Sequence, residues 1–573
     1  MVVSTTNMSN KDKNTPQRAL VFQGGGSLGA YEAGVFEVLY YWIKKDIDDD
    51  ENVFDIVAGT SIGAINAAIL VSHVKKNGKW EGSPKKLIDF WEYLSSSLTS
   101  NLKDRWVQAL TAGWRTWYMM FPYLNLGSPE AFRRYYSSKI SLSSPYGEPS
   151  VFVPLIPLSD TKFLDYLDTS AWWFRYSNEP LRSSIAKFVE EFPVATSYDK
   201  NSGKMRQPRL LLVSVDVQEG ETVTFDSYEY NSTKCTICEK KCNDTDTLLK
   251  HVYNDHLREQ KYNKGTEIRW SVYGGKENKY AILYDGIELN HIMASSSVPL
   301  HYGYTEIEAI NSKGEKETHY FWDGGLLSNT PLRELISEHI LFWKNRLKID
   351  PKELSADKWS ENQSKWKIPD LEAYVVSVWP SKEDKHSIPL NDYDLTKDRK
   401  NDITHHDKTE YDEKAATIVT DYINFIEKMG NLVIKKIKGS KDSSQLMEEF
   451  NDILNTPAKS TQRTGAKRTY KDLAVGRFAL NQVVRIERTD DPHTISNKWF
   501  DFSYSTISQL IQQGIDDALK TLVDDVKKSK DNQAADNQLN KFINEVKKEE
   551  QNGELPANRA IQLRKLAKTF KAV

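Results

Sequence analysis

Twice within its first 80 residues the chain runs a short apolar segment into glycines and then into a helical pattern. Residues 19–23 (ALVFQ) lead into Gly24-Gly25-Gly26-Ser27-Leu28-Gly29, and helical spacing follows at Ala33, Phe36, Val38, Leu39, Tyr40 and Ile43. Residues 54–59 (FDIVAG) lead into Gly59-Thr60-Ser61-Ile62-Gly63, followed by a small-residue helix over 62–75. A short apolar run bounded by turn residues suits a buried strand. Strand–turn–helix repeated in this way predicts βαβ units and an α/β fold with a mainly parallel central sheet.

Later segments extend that pattern. Strands are expected at 151–157 and 209–217, with a hairpin partner at 222–230, and again at 319–325 and 371–380. A helix is expected over 331–343. After residue 385 the chain is polar, with helical stretches near 411–438, 501–528 and 556–571. The expected organisation is therefore a solvated tail over 1–16, an α/β unit over 17–385 and a mainly helical C-terminal extension over 386–573.

Composition narrows the function. Apolar residues make up 39% of the 573, enough for a sizeable core. Lysine and arginine number 77 against 80 acidic residues, a net charge of −3, which argues against bulk binding of nucleic acid. No run has the length and apolarity of a membrane span, and the polar first 17 residues lack the apolar centre of a signal peptide. The three cysteines, Cys235, Cys238 and Cys242, fall within eight residues, which excludes a disulfide scaffold and points to a reducing compartment. The expected location is cytoplasmic, with peripheral contact to a membrane.

The first glycine cluster can aim consecutive N–H groups at an anion, with a helix N-terminus behind them. Alone it is ambiguous, because Gly24-x-Gly26-x-x-Gly29 also satisfies the dinucleotide fingerprint, with Asp46 and Asp48 about 20 residues on. The G-x-S-x-G at 59–63 favours an oxyanion reading. Small flanking residues permit a strained strand-to-helix turn that lifts the Ser61 hydroxyl into the open. A plain N-cap serine is the simpler use of that position. A serine nucleophile needs a base, and Trp322-Asp323-Gly324-Gly325 offers a carboxylate at the end of a strand. His291, His301 and His319 lie in the same region, and each is more simply read as a hydrogen-bonded core residue.

Together these residues resemble the patatin-like phospholipase family, marked by a G-G-G-x-x-G turn, a G-x-S-x-G elbow and a downstream D-G-G/A. They stand here as GGGSLG (24–29), GTSIG (59–63) and DGG (323–325), in the family's order. Residues 29–39, 63–68, 294–300 and 324–332 add to the likeness, and 501–514 is similar to a C-terminal segment of some members. Leu28 departs from the basic residue many members carry there.

The resemblance implies a patatin-like three-layer fold and hydrolysis of lipid acyl esters, as a phospholipase, lysophospholipase or broader lipid acyl hydrolase. Ser61 is implied as nucleophile and Asp323 as its direct base. Gly24, Gly25 and Gly26 are implied as the oxyanion turn, Gly59 and Gly63 as the elbow, and Gly324 and Gly325 as the DGG motif. No cofactor is needed for that chemistry. Lipid is the expected partner.

Residues 231–262 form a hydrophilic insertion with the spacing Cys235-x2-Cys238-x12-His251-x4-His256. This meets the two-cysteine, two-histidine zinc pattern in every interval. Leu248 stands where such fingers place a core leucine, Cys242 where a core aromatic is usual, and Thr233 is not the usual aromatic. A structural zinc is expected. A single finger in a near-neutral chain does not predict specific nucleic-acid readout. A non-catalytic adaptor that binds protein or nucleic acid through the finger is the rival from another functional class.

Two segments suit a lipid surface. Residues 114–126 (WRTWYMMFPYLNL) are rich in interfacial aromatics, and an aromatic core helix explains them equally well. Residues 559–573 carry five basic and no acidic residues among Ile561, Leu563, Leu566 and Phe570. A helix packed on the domain is the simpler reading of that tail.

Overall fold

The computed structural model describes residues 16–48, 51–95, 133–136, 174–177, 179–198, 206–228, 251, 269–273, 280–299, 302–311, 315–382, 393–458, 468–489, 491 and 498–571. The strands of the central sheet are β1 (Gln17–Phe22), β2 (Ile56–Thr60), β3 (Arg209–Asp216), β4 (Glu221–Asp226), β5 (Arg269–Tyr273), β6 (Tyr280–Tyr284), β7 (Thr305–Asn311), β8 (Lys316–Asp323), β9 (Leu371–Ser377) and β10 (Leu480–Glu487). The helices that matter below are α1 (Ala30–Lys44), α2 (Ile62–Asn77), α3 (Ser83–Leu94), α4 (Leu289–Ser295), α5 (Leu332–Arg346), α6 (Tyr393–His405), α7 (Glu410–Lys438), α8 (Tyr504–Ser529), α9 (Asn532–Gln551) and α10 (Ala557–Lys571).

The strands lie in the order β10-β9-β1-β2-β3-β8-β7-β6-β5, with β4 also paired to β3. From β10 to β3 every pairing is parallel. From β3 onward every pairing is antiparallel. The expectation of a mainly parallel sheet is thus corrected to a mixed one. The reason lies in the connections. Four residues join β3 to β4, and four join β7 to β8. Links that short close hairpins and cannot make the long crossover a parallel pair requires.

β1, β2 and β3 are buried along almost their whole length. Alternate residues feed two cores, which makes the sheet the middle of three layers. Leu20, Phe22, Val57 and Leu212 join α1, α2, α3 and α8 on one face. Ala19, Val21, Ile56 and Leu211 join Leu332, Leu335 and Trp343 of α5 on the other. α1 is buried from Ala30 to Ile43, its two acids answered by Asn66 at 2.8 Å from Glu32 and Arg559 at 2.9 Å from Glu37.

The stretch after 385 is mainly helical, yet it is continuous with the sheet. β10 adds a parallel strand beside β9, and α8 lies along α1. Those two helices meet through paired glycines: a Cβ on Gly34 would stand 1.9 Å from the Ile511 carbonyl oxygen, and one on Gly514 2.1 Å from that of Tyr31. Neither backbone can yield without parting the helices. Gly514→Val is therefore expected to lower unfolding stability by about 3 kcal/mol or more. A urea melt unchanged from wild type would refute this close packing.

Candidate active site

β2 delivers the chain into Ser61 and α2 carries it away. Ser61 has φ 57° and ψ −124°, one of two non-glycine residues at positive φ among those described. Such a conformation costs on the order of 1–3 kcal/mol and persists only where its surroundings enforce it. Several contacts enforce it here. A Cβ on Gly59 would lie 2.2 Å from the Gly63 carbonyl oxygen, and one on Gly63 2.7 Å from that of Phe22. The Ser61 N–H donates to the Ser295 hydroxyl at 3.0 Å, and that hydroxyl donates to the Val213 carbonyl at 2.5 Å. Ser296 donates to the Ser61 carbonyl at 3.4 Å. The Ser61 side chain makes no capping hydrogen bond to α2, so its hydroxyl is not used as an N-cap.

β8 ends at Asp323 on the same edge of the sheet. Thr60 pairs with Val213 and Asp323 pairs with Ser214. Ser61 and Asp323, 262 residues apart in sequence, thus arrive at one level on either side of β3. Asp323 is 5% exposed. Its Oδ1 accepts the Gly325 N–H at 2.7 Å, and its Oδ2 has no hydrogen-bond partner among the described residues. Burial pushes this carboxyl up to about 6, against the opposing pull of the Ser61 hydroxyl and the Gly325 N–H. The pull of the Ser61 hydroxyl on this carboxyl is that of a near neighbour across β3. Gly324 is required where β8 meets β3, because a Cβ there would stand 2.3 Å from the Val213 carbonyl oxygen.

The turn at 24–29 folds over the serine. A Cβ on Gly24 would sit 3.0 Å from the Ser61 Cβ. The Gly24 N–H is taken by the Asn329 carbonyl at 3.1 Å. The Gly24 carbonyl accepts from Trp379 Nε1 at 2.7 Å and Asn329 Nδ2 at 3.2 Å. Among the described residues the Gly25 and Gly26 N–H groups make no hydrogen bond. Gly26 has φ 58°, and a Cβ there would meet the Trp499 carbonyl oxygen at 2.3 Å.

Several supporting residues carry no motif of their own. Gln23 accepts the Val378 N–H at 2.7 Å and donates to Thr330 at 2.9 Å, which ties the turn to β9 and to the DGG loop. Ser27 donates to the Lys498 carbonyl at 2.9 Å. Lys498 is itself buried, and its ammonium is held by Asp402 at 2.7 Å, Asp398 at 3.1 Å and Asp491. Burial pushes the Asp398 carboxyl up to about 7, partly offset by Lys498. The C-terminal part of the chain thus braces the glycine turn from behind. Ser295 and Asn329 lie within 294–300 and 324–332, stretches whose only sequence signal was family likeness. Lys498 and its acids gave none.

The histidines do other work. His291 accepts the Glu288 N–H at 2.9 Å in a helix-capping box, and burial pushes its pKa down to about 3. His319 bonds Asp216 at 2.7 Å and Glu317 at 2.9 Å. His301 lies outside the described residues. Asp46, the ribose contact of a dinucleotide reading, is bonded to Lys541 at 2.7 Å. Of the zinc-ligand set, Cys235, Cys238 and His256 lie outside the described residues, and His251 is a buried helical residue. The aromatic segment 114–126 also lies outside them. The basic tail is largely accounted for within the fold: α10 buries Leu563 and packs Leu566 and Phe570 on the core, while Arg559 and Arg564 pair with Glu37 and Glu550.

The class is that of the lipid acyl hydrolases: the family model described as patatin-like phospholipase matches residues 20–336, more than half of the chain. The chain belongs to that family. It is also similar to the crystal structure of VipD from Legionella pneumophila, with 10% identity over 96% of this chain and 79% of that one and a TM-score of 0.23. No curated protein matches the sequence. Among the described residues no helix is long and apolar enough to cross a membrane.

Proposed function

We propose that the chain hydrolyses lipid acyl esters through a Ser61–Asp323 dyad, with Gly25 and Gly26 supplying the oxyanion donors. The observation that carries this reading is Ser61, held at positive φ beside a buried carboxylate whose Oδ2 is unpartnered. As the Ser61 hydroxyl attacks the ester carbonyl, Asp323 Oδ2 takes its proton. The carbonyl oxygen becomes an oxyanion and is met by the two unpaired glycine N–H groups. Collapse expels the alcohol, which leaves with the proton from Asp323, and Ser61 carries the acyl group. Water then attacks that ester, with Asp323 as base again, and releases the fatty acid.

A carboxylate of ordinary pKa is a weak base for a serine, and burial is what brings Asp323 toward working range. Gly24 contributes differently: its N–H is already used, so it sets the shape of the turn and Gly25 and Gly26 face the reacting atom. Exposed Leu326 and Leu327, directly after the DGG motif, supply an apolar rim for an acyl chain. An adaptor has no use for a strained serine beside an open carboxylate. The C2H2 spacing at Cys235, Cys238, His251 and His256 remains the ground for a structural zinc outside this chemistry. The test of the reading is fatty-acid release from phospholipid by wild type and its loss in Ser61→Ala.

A further inference from the structure

α7 is a 29-residue helix, about 43 Å long at 1.5 Å per residue, and among the described residues one of its faces is exposed along most of its length. Tyr411, Ile418, Tyr422, Phe425, Met429 and Leu432 follow one stripe along it. Tyr411, Tyr422 and Phe425 are 79%, 63% and 61% exposed. Single exposed apolar residues are ordinary, but a contiguous stripe of large ones marks an interaction surface. The opposite side of α7 is anchored. A Cβ on Gly430 would lie 2.4 Å from the Trp359 ring, Ile434 and Ile437 are buried, and Arg485 holds Asp407 and Glu413 about the first turn. The stripe is thus presented on a seated helix.

We infer that this face docks on an anionic phospholipid bilayer. Three observations select that occupant. First, the C-terminal half of the stripe's edge is basic: Lys428 and Lys435 stand seven residues apart beside it and Lys436 continues the stripe itself, whereas nearer the N-terminus Lys414 is paired with Glu410 at 2.6 Å. Aromatic and aliphatic residues beside a lysine edge match an interfacial helix, in which the rings enter the acyl boundary and the ammonium groups meet lipid phosphates.

Second, the stripe starts beside the candidate active site. The carbonyl of His405, at the end of α6, accepts from Asn329 at 2.7 Å and Gln23 at 3.1 Å. Asp412, in the first turn of α7, pairs with Arg333 at 3.1 Å, nine residues after Gly324. Exposed Leu326, Leu327 and Ile403 lie in the segments so joined. Third, a second copy of the helix fits less well. The four-and-three spacing would suit a coiled-coil seam, but the flank across the stripe from the lysines is Val419, Ile426 and Val433, apolar residues of which the first two are exposed. It offers no acidic row to a partner's lysines.

The experiment is flotation of the full chain with mixed phosphatidylcholine–phosphatidylserine vesicles. It is run in the Ser61→Ala background, so that no result depends on turnover. The parent should float. Tyr422→Asp with Phe425→Asp should lower the bound fraction about tenfold or more. Lys428→Glu with Lys435→Glu should lower it on these vesicles and leave it unchanged on phosphatidylcholine alone. All four positions are exposed, so the same changes made with Ser61 intact should leave hydrolysis of a soluble short-chain ester unaltered.

A Tyr422/Phe425 variant that floats like its parent, or a parent that does not float, overturns the proposal. So does a parent that is dimeric in light scattering when the variant is monomeric, which would assign the face to a second copy. Failure of the dyad reading would look different: soluble-ester hydrolysis would survive Ser61→Ala while flotation stayed intact.

Discussion

Ser61→Ala is expected to abolish fatty-acid release, lowering kcat/KM for phospholipid and for a p-nitrophenyl ester by at least about 10⁴-fold. Alanine can hold the same backbone only at the same strain, and Ser61 makes no capping bond that the change would cost α2. The fold should therefore survive, and circular dichroism and the melting curve should match wild type. Whatever rate remains reports binding and the oxyanion donors, each worth about 3 kcal/mol of barrier. A variant that keeps even a tenth of wild-type activity would show that another residue carries the acyl group.

Asp323→Asn is expected to lower kcat by about 10³–10⁴-fold, because an amide cannot accept the serine proton. The pH dependence sharpens this expectation. The base must be ionised to act, and burial holds its pKa at about 6. Below that value log(kcat/KM) should rise by one for each pH unit, and above it the profile should be flat. The unbound enzyme should lose the same limb in Asp323→Asn.

The same shift has a consequence for stability, of opposite sense. A carboxyl whose folded pKa lies above its ordinary 3.8 is penalised when ionised. The penalty is absent well below pH 4, grows as pH rises toward 6, and is full above it, at about 3 kcal/mol. Asp323→Asn should therefore melt higher than wild type at pH 8 and lose that advantage at pH 4. A variant both inactive and less stable at pH 8 would mean that the carboxylate holds the fold together.

The parts of the site legible in the sequence are those in which backbone geometry dictates residue type. Gly59 and Gly63 flank Ser61 because no Cβ fits beside the strained turn, and Gly24 is small because it crosses the serine. Such demands leave local signatures. Pairing across the sheet does not. Asp323 could be read as lying at a strand end, but only the register through Ser214 brings it level with Ser61. Of the antiparallel half the hairpin of β3 and β4 is legible, but the pairing of β8, β7, β6 and β5 is not, because apolar runs mark a strand without its direction. β10 was missed because LNQVVRIE alternates with polar residues at a sheet edge and sits among helices. Ser295, Asn329 and Lys498 act on backbone atoms far away in sequence, and no spacing rule reaches them. α7 read as a helix, but which of its apolar residues would lack cover depends on what packs beneath it.

The central claim is that Ser61 is the nucleophile and is activated by Asp323. Its most direct measurement is mass spectrometry after reaction with a fluorophosphonate, which phosphonylates an activated serine. In wild type the adduct should fall on the peptide containing Ser61, with a labelling rate that rises through about pH 6 and collapses in Asp323→Asn. An adduct on any other serine, or labelling of Ser61 that is as fast in Asp323→Asn as in wild type, would contradict the account.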